Sequence, residues 1–275
     1  MKVDEAAVAT RTSQRVALTA FFAMLLRDVR VVRKQFGPFA ARTIMQPLLT
    51  TFVFAYVFPK IGQGVGGSQG AEEFSTLLAP GLISFGLIFQ GIQAVALPLV
   101  SEFGYTREIE DRVIAPLPVW AVGLQKITSG ALQAALAAAV TVPIVLLVPS
   151  TPVNLDISWP LLLTILPLSC VLAGSLGLTI GTRVEPRQVS LMFSILVMPM
   201  SMLGAVYYPW KSLDAVPWLQ VAVLVNPLVY MSEGMRAAMT SLPHMSLWAI
   251  YGALFGFTAV LMWLGLDGFR KRVLT

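Results

Sequence analysis

Histidine and cysteine, the side chains that most often carry catalysis or hold a transition metal, occur once each, as His244 and Cys170. One imidazole builds neither a His-pair metal site nor an HExxH motif. One cysteine inside an apolar run leaves no internal disulfide and no Cys-based metal site. Gly174-Ser175-Leu176-Gly177 does not match GxSxG and has no His or Lys within its own apolar run. Gly174, Ser175 and Gly177 read instead as small residues for close helix packing. The Gly-rich stretch from Gly62 to Gly70 lacks the Gly-Lys-Ser/Thr of a phosphate loop and reads as a flexible turn. No catalytic set, metal set or cofactor site emerges, and the chain is not expected to be an enzyme by itself.

Charge is the remaining chemistry. The segment Ser101 to Pro118, SEFGYTREIEDRVIAPLP, places six charged side chains between two long apolar runs. Thr106 is positioned to cap a short helix on which Arg107/Asp111 and Glu108/Arg112 stand at i,i+4, and Pro116 and Pro118 close it. Exposed pairs of this kind add only about 0.2 to 0.5 kcal/mol each, so fold stability alone does not account for the cluster. Contact with another protein accounts for it; a solvated loop helix is the plainer alternative.

The elements that hold this segment follow from composition. Of 275 residues 56% are hydrophobic and 12% charged, where soluble domains carry about 25% charge. That is an all-α integral membrane protein. Six apolar segments run from Thr43 to Pro59, Thr76 to Val100, Val119 to Val148, Leu161 to Gly181, Val189 to Tyr208 and Leu247 to Leu266. Each is near or above the roughly 17 to 25 residues of a spanning helix. Five carry no charge; the third holds Lys126, near enough to its start to snorkel to the interface, with a place on a transport path as the alternative. Pro47, Pro80, Pro98, Pro143, Pro167 and Pro199 suggest kinked spans.

Before the first span, residues 1–13 are polar and expected to be mobile. From Gln14 to Phe36, Leu18, Phe22, Leu25, Val29, Val32 and Phe36 recur at helical spacing, with Arg27 and Lys34 opposite and Arg30 and Arg33 flanking. That predicts an amphipathic helix in the cytoplasmic interface, ended by Gly37-Pro38; a soluble amphipathic helix packed on a partner is the alternative. The N-terminus lacks the apolar core and cleavage site of a signal peptide and is expected to be retained. The chain thus divides into a tail and interfacial helix over 1–42, a six-span domain over 43–266 and a tail over 267–275.

Orientation follows from counting basic residues. With both termini cytoplasmic, fifteen of the 19 Lys and Arg fall inside and three, Lys60, Lys211 and Arg236, fall outside, the last being Lys126. This is a strong positive-inside bias, and it puts the 101–118 segment in the cytoplasm. The net charge of +5 is therefore a matter of topology and headgroups, not of nucleic acid. On the outer side, Pro209 to Ser246 holds Trp210 and Trp218, an apolar run too short to span, then Asn226 as a helix cap with Pro227 at the first helical position. This predicts a re-entrant or interfacial helical hairpin before the last span, in which Glu233 and Arg236 stand at i,i+3. Trp210, Trp218, Tyr207 and Tyr208 suit the aromatic belt there.

E-x4-R-E-I-x-D-R-x3-P-L-P after the second span and N-P-L-V-Y-x2-E-x-M-R before the last, set among six spans, resemble the membrane subunits of type-2 ATP-binding-cassette exporters. That group includes daunorubicin-resistance, nodulation and polysaccharide-export permeases. The resemblance covers roughly residues 15–270. It implies a permease of the plasma (inner) membrane that dimerises with a second copy or close paralogue. An ATPase subunit would dock on each half and bind ATP and Mg, because this chain has no ATP site of its own. Carried over, Tyr105 to Arg112 is the coupling helix that meets the ATPase, with Glu102 at its base. The outer hairpins correspond to Lys211 to Met239. Few ionisable residues lie within the spans, which suits an amphiphilic substrate such as a drug, lipid or lipid-linked glycan. The alternatives are an ATP-independent secondary transporter, which calls for a mid-membrane carboxylate or a clear repeat, and a membrane scaffold protein.

Overall fold

The computed structural model of the chain describes residues 2–61, 67–106, 118–185 and 188–274, and every regular element among the described residues is helical. The leading helix α1 spans Lys2–Lys34, so it starts well before the expected boundary at residue 13. α1 stops at Gln35 (φ −106°, ψ 31°), and α2 (Phe36–Thr51) begins at once. Gly37-Pro38, expected to end the first helix, instead lies in the first turn of the next, where a missing proline N–H costs no intrahelical bond. α2 continues through a π-helical stretch, Phe52–Val57, and a closing turn, Phe58–Lys60.

α3 (Gly67–Ser101) runs on into a π-helical stretch, Glu102–Thr106, and is followed by α4 (Val119–Leu147) and α5 (Trp159–Arg183). A short broken course comes next: α6 (Val189–Met192), a π-helical stretch Phe193–Val197, and α7 (Met198–Met202). Past a 3-10 turn at Trp210–Ala215 lie α8 (Pro217–Ala222), α9 (Pro227–Met239) and α10 (Leu247–Leu274). Among the described residues, four helices are long and apolar enough to cross a membrane, over Glu73–Gly104, Val119–Leu147, Trp159–Arg183 and Leu247–Val273. The first and fifth apolar segments are each broken by a π-helical stretch, and the fifth leaves helix after Met202. The prolines at 47, 80, 98, 143 and 167 stand inside their helices, while Pro199 opens α7.

α3 is the axis of the bundle. Of its most apolar window 72% is buried, against 22% for α10, which shows most of its surface to the surrounding medium. Leu82, Ile83, Leu87, Ile88 and Ile92 of α3 are all buried. Close approach to its neighbours needs residues without a side chain. A Cβ at Gly174 would stand 2.5 Å from the Ile127 carbonyl oxygen of α4, and one at Gly177 would stand 2.6 Å from the Gly91 carbonyl oxygen of α3. The connection 149–158 laces the far ends together: Ser150 N–H donates to the Ala55 carbonyl at 3.0 Å, Asn154 N–H to Thr76 Oγ1 at 3.1 Å and Asp156 N–H to the Met239 carbonyl at 2.9 Å.

Candidate functional site

The base of the charged segment is fixed by a buried ion pair. α4 runs back antiparallel to α3 and brings Lys126, two turns in from Val119, against Glu102. Lys126 Nζ donates to both carboxylate oxygens, at 2.7 and 2.9 Å, and both side chains are buried. Lys126, expected to reach toward the interface, is thus held inside the bundle end by Glu102. A carboxylate within hydrogen-bond reach offsets the desolvation that otherwise drives a lysine head to water.

One residue earlier, Gln125 Nε2 donates to Asp28 Oδ2 of α1 at 2.7 Å, tying the amphipathic helix to α4 at the same level. On the other side of the segment's base, the Arg272 guanidinium of α10 lies 4.8 Å over the Phe103 ring. Its Nη1 also donates to the Thr182 and Val184 carbonyls at the end of α5, at 3.2 and 3.1 Å. A cation over the orphan carbonyls of a helix C-terminus is favourable. Glu102 and Phe103 thus link the end of α3 to α4 and α10, which carries the contact on to α5. Tyr105 lies on the same π-helical stretch. Arg107, Glu108, Asp111 and Arg112, with the short helix expected there, lie outside the described residues.

Between α1, α3 and α4 opens a cleft of about 550 Å³, lined by Arg27 and Asp28, by Gln93 and Glu102, and by Lys126, Ser129 and Gln133. Of its buried polar walls, only Glu102 and Lys126 stand out in the sequence as charges. Gln93 and Gln133, polar side chains within otherwise apolar spans, were the available signal.

At the opposite end a second buried pair organises the region before α10. Glu233 and Arg236 on α9 are bonded through Oε1 and Nη1, and both are fully buried. The carboxylate is shared further: Oε1 accepts Trp210 N–H at 2.9 Å and Oε2 accepts Met245 N–H at 2.7 Å. Arg236 Nη2 donates to the Ala205 carbonyl at 3.0 Å, and Ala205 is a non-glycine residue at φ 52°. The expected i,i+3 pair is therefore a three-way junction of α9, the 205–210 segment and the turn into α10. Asn226 caps α9 as its sequence predicts: Leu228 N–H donates to Oδ1 at 3.0 Å, while Nδ2 donates to the Met200 carbonyl of α7 at 2.7 Å. Pro227 occupies the first helical position. Trp210 Nε1 donates to the Gln220 carbonyl at 3.0 Å, whereas Trp218 is exposed.

Among the described residues, neither end assembles a nucleophile with a base. Both use buried ion pairs to join helix ends. Over residues 19–240 the sequence matches the family described as ABC-2 type transporter, and the chain belongs to that family of membrane transport permeases. Among curated proteins, the inner membrane transport permease YadH of Escherichia coli (strain K12) is 26% identical over 220 residues, covering 78% of this chain and 82% of YadH. YadH of Shigella flexneri is similar to the same degree.

Proposed function

We propose that this chain is the membrane-spanning permease subunit of an ABC exporter in the plasma (inner) membrane. It crosses the bilayer six times with both termini cytoplasmic, α1 in the cytoplasmic interface and the 209–246 region as an outer re-entrant hairpin. Two copies, or a copy and a close paralogue, form the path for an amphiphilic substrate. A separate ATPase subunit, holding ATP and Mg, docks on the 101–118 segment of each. Glu102, Tyr105, Arg107, Glu108, Asp111 and Arg112 form the coupling surface.

The observation that carries this reading is the Glu102–Lys126 pair at the base of that segment. A push on the segment reaches Glu102 first and moves α4 with it, because separating the pair would strand two buried charges. Family membership and the fifteen-to-three distribution of basic residues support the transport role and the orientation.

The test is recovery of the tagged chain from its native membrane, followed by ATPase assay of the eluate. A soluble subunit should co-elute with ATP turnover. Turnover should fall at least tenfold when Glu108→Arg and Arg112→Glu are combined, with insertion and elution unchanged. A clean, inactive chain from a preparation that preserves other membrane complexes would sink the proposal.

A further inference from the structure

The polar cleft does not end at its own walls. It adjoins a second cleft of about 180 Å³ that shares Asp28, Val32, Ser129 and Gln133 with it, and whose remaining lining is mainly apolar. Val29 and Phe36 on one side of this second arm and Leu132 and Leu136 on the other are all exposed, so the arm opens onto the outer surface of the bundle. Leu132 and Leu136 lie thirteen and seventeen residues into α4, about 20 to 26 Å along a helix about 44 Å long. For a spanning α4 that surface faces lipid.

The polar arm carries groups the protein leaves unused. Gln93 and Ser129 are more than nine-tenths buried. Neither they nor Gln133 makes a side-chain hydrogen bond among the described residues. Their polar atoms are not sealed away from the cleft, so a ligand head placed there can bond them. The charges around them balance, Arg27 and Lys126 against Asp28 and Glu102, and Arg33 stands on the exposed rim of the apolar arm. An ionic head gains no net attraction from such walls, while a head with several hydroxyls finds both donors and acceptors.

We infer that each copy of the chain holds a binding site for an amphiphile with an uncharged, hydroxyl-rich head, a polyol or glycosyl group, between α1, α3 and α4. Gln93, Ser129 and Gln133 bond the head, and the alkyl chain leaves between Val29 and Phe36 on one side and Leu132 and Leu136 on the other. The substrate class rests on the export reading; the binding itself needs no ATPase.

The test uses the full chain in phosphatidylcholine nanodiscs with diazirine-bearing dodecyl glucoside and a matched dodecyl phosphate. The glucoside should cross-link to α1 near 29–36 and to α4 near 132–136, and excess unlabelled dodecyl glucoside should suppress the labelling. Gln93→Leu with Gln133→Leu should lower the competable labelling about tenfold, the loss of a few hydrogen bonds. Leu136→Trp, a change on an exposed surface, should abolish it by filling the apolar arm, and it decides the matter alone should the glutamine variant fail to fold. Equal labelling by the phosphate, or labelling indifferent to Leu136→Trp, would overturn the inference. Competable labelling in a chain that recovers no ATPase would keep this site and sink the exporter, and an ATPase-coupled chain without competable labelling would do the reverse.

Discussion

Glu233 accepts from Arg236 and from the backbone N–H groups of Trp210 and Met245, so three partners depend on one carboxylate. Replacing it strands a guanidinium that cannot shed its proton and leaves two buried amides without acceptors. Glu233→Leu should therefore destabilise by at least about 3 to 5 kcal/mol, read as the unfolding midpoint of the purified chain. Arg236→Met should cost less, because the carboxylate keeps its two amide donors. The reverse order would show that the guanidinium, not the carboxylate, is the centre of the junction. Lys271–Asp267 on α10 is the control: the Lys271 side chain is 76% exposed, and Lys271→Ala should stay within about 0.5 kcal/mol.

Between elements, what matters is how closely backbones approach. α4 and α5 touch at Gly174, where an added Cβ meets the Ile127 carbonyl, next in sequence to Lys126. Gly174→Val must push the helices apart, at a cost of about 1 to 3 kcal/mol or more. It should also loosen the Glu102–Lys126 level, visible as faster amide exchange at the start of α4. Gly252 on α10 has nothing within 4 Å of an added Cβ, so Gly252→Ala should be neutral or stabilising by up to about 1 kcal/mol through helix propensity. Equal losses from the two changes would mean that close packing does not discriminate these sites.

For the whole molecule, the proposed orientation is the claim most open to direct measurement. Cys170 is buried, so the native chain is a quiet background for an impermeant maleimide. Lys211→Cys should react in intact cells, whereas Arg183→Cys and Lys271→Cys should react only after permeabilisation. Labelling of the last two from outside would reverse the topology and remove the 101–118 segment from any cytoplasmic ATPase.

The class of molecule was legible in the sequence because bilayer thickness selects directly for the length of an apolar run, a property of the chain in one dimension. Asn226-Pro227 and the Glu233/Arg236 spacing were equally readable, since a cap and an i,i+3 pair are decided within one or two helical turns. The π-helical interruptions of the first and fifth segments left no such mark. Gly37-Pro38 looks the same whether it ends one helix or begins another, and only the break at Gln35 decided between them. Lys126 read as a snorkelling residue because its partner lies 24 residues away, across a connection whose path no local pattern describes. Gln93 and Gln133 share a cleft, and Trp210, Ala205 and Met245 share a junction, because antiparallel helices and folded-back turns put them side by side. Which residues become neighbours is set by packing in three dimensions, and that the tertiary structure alone decided.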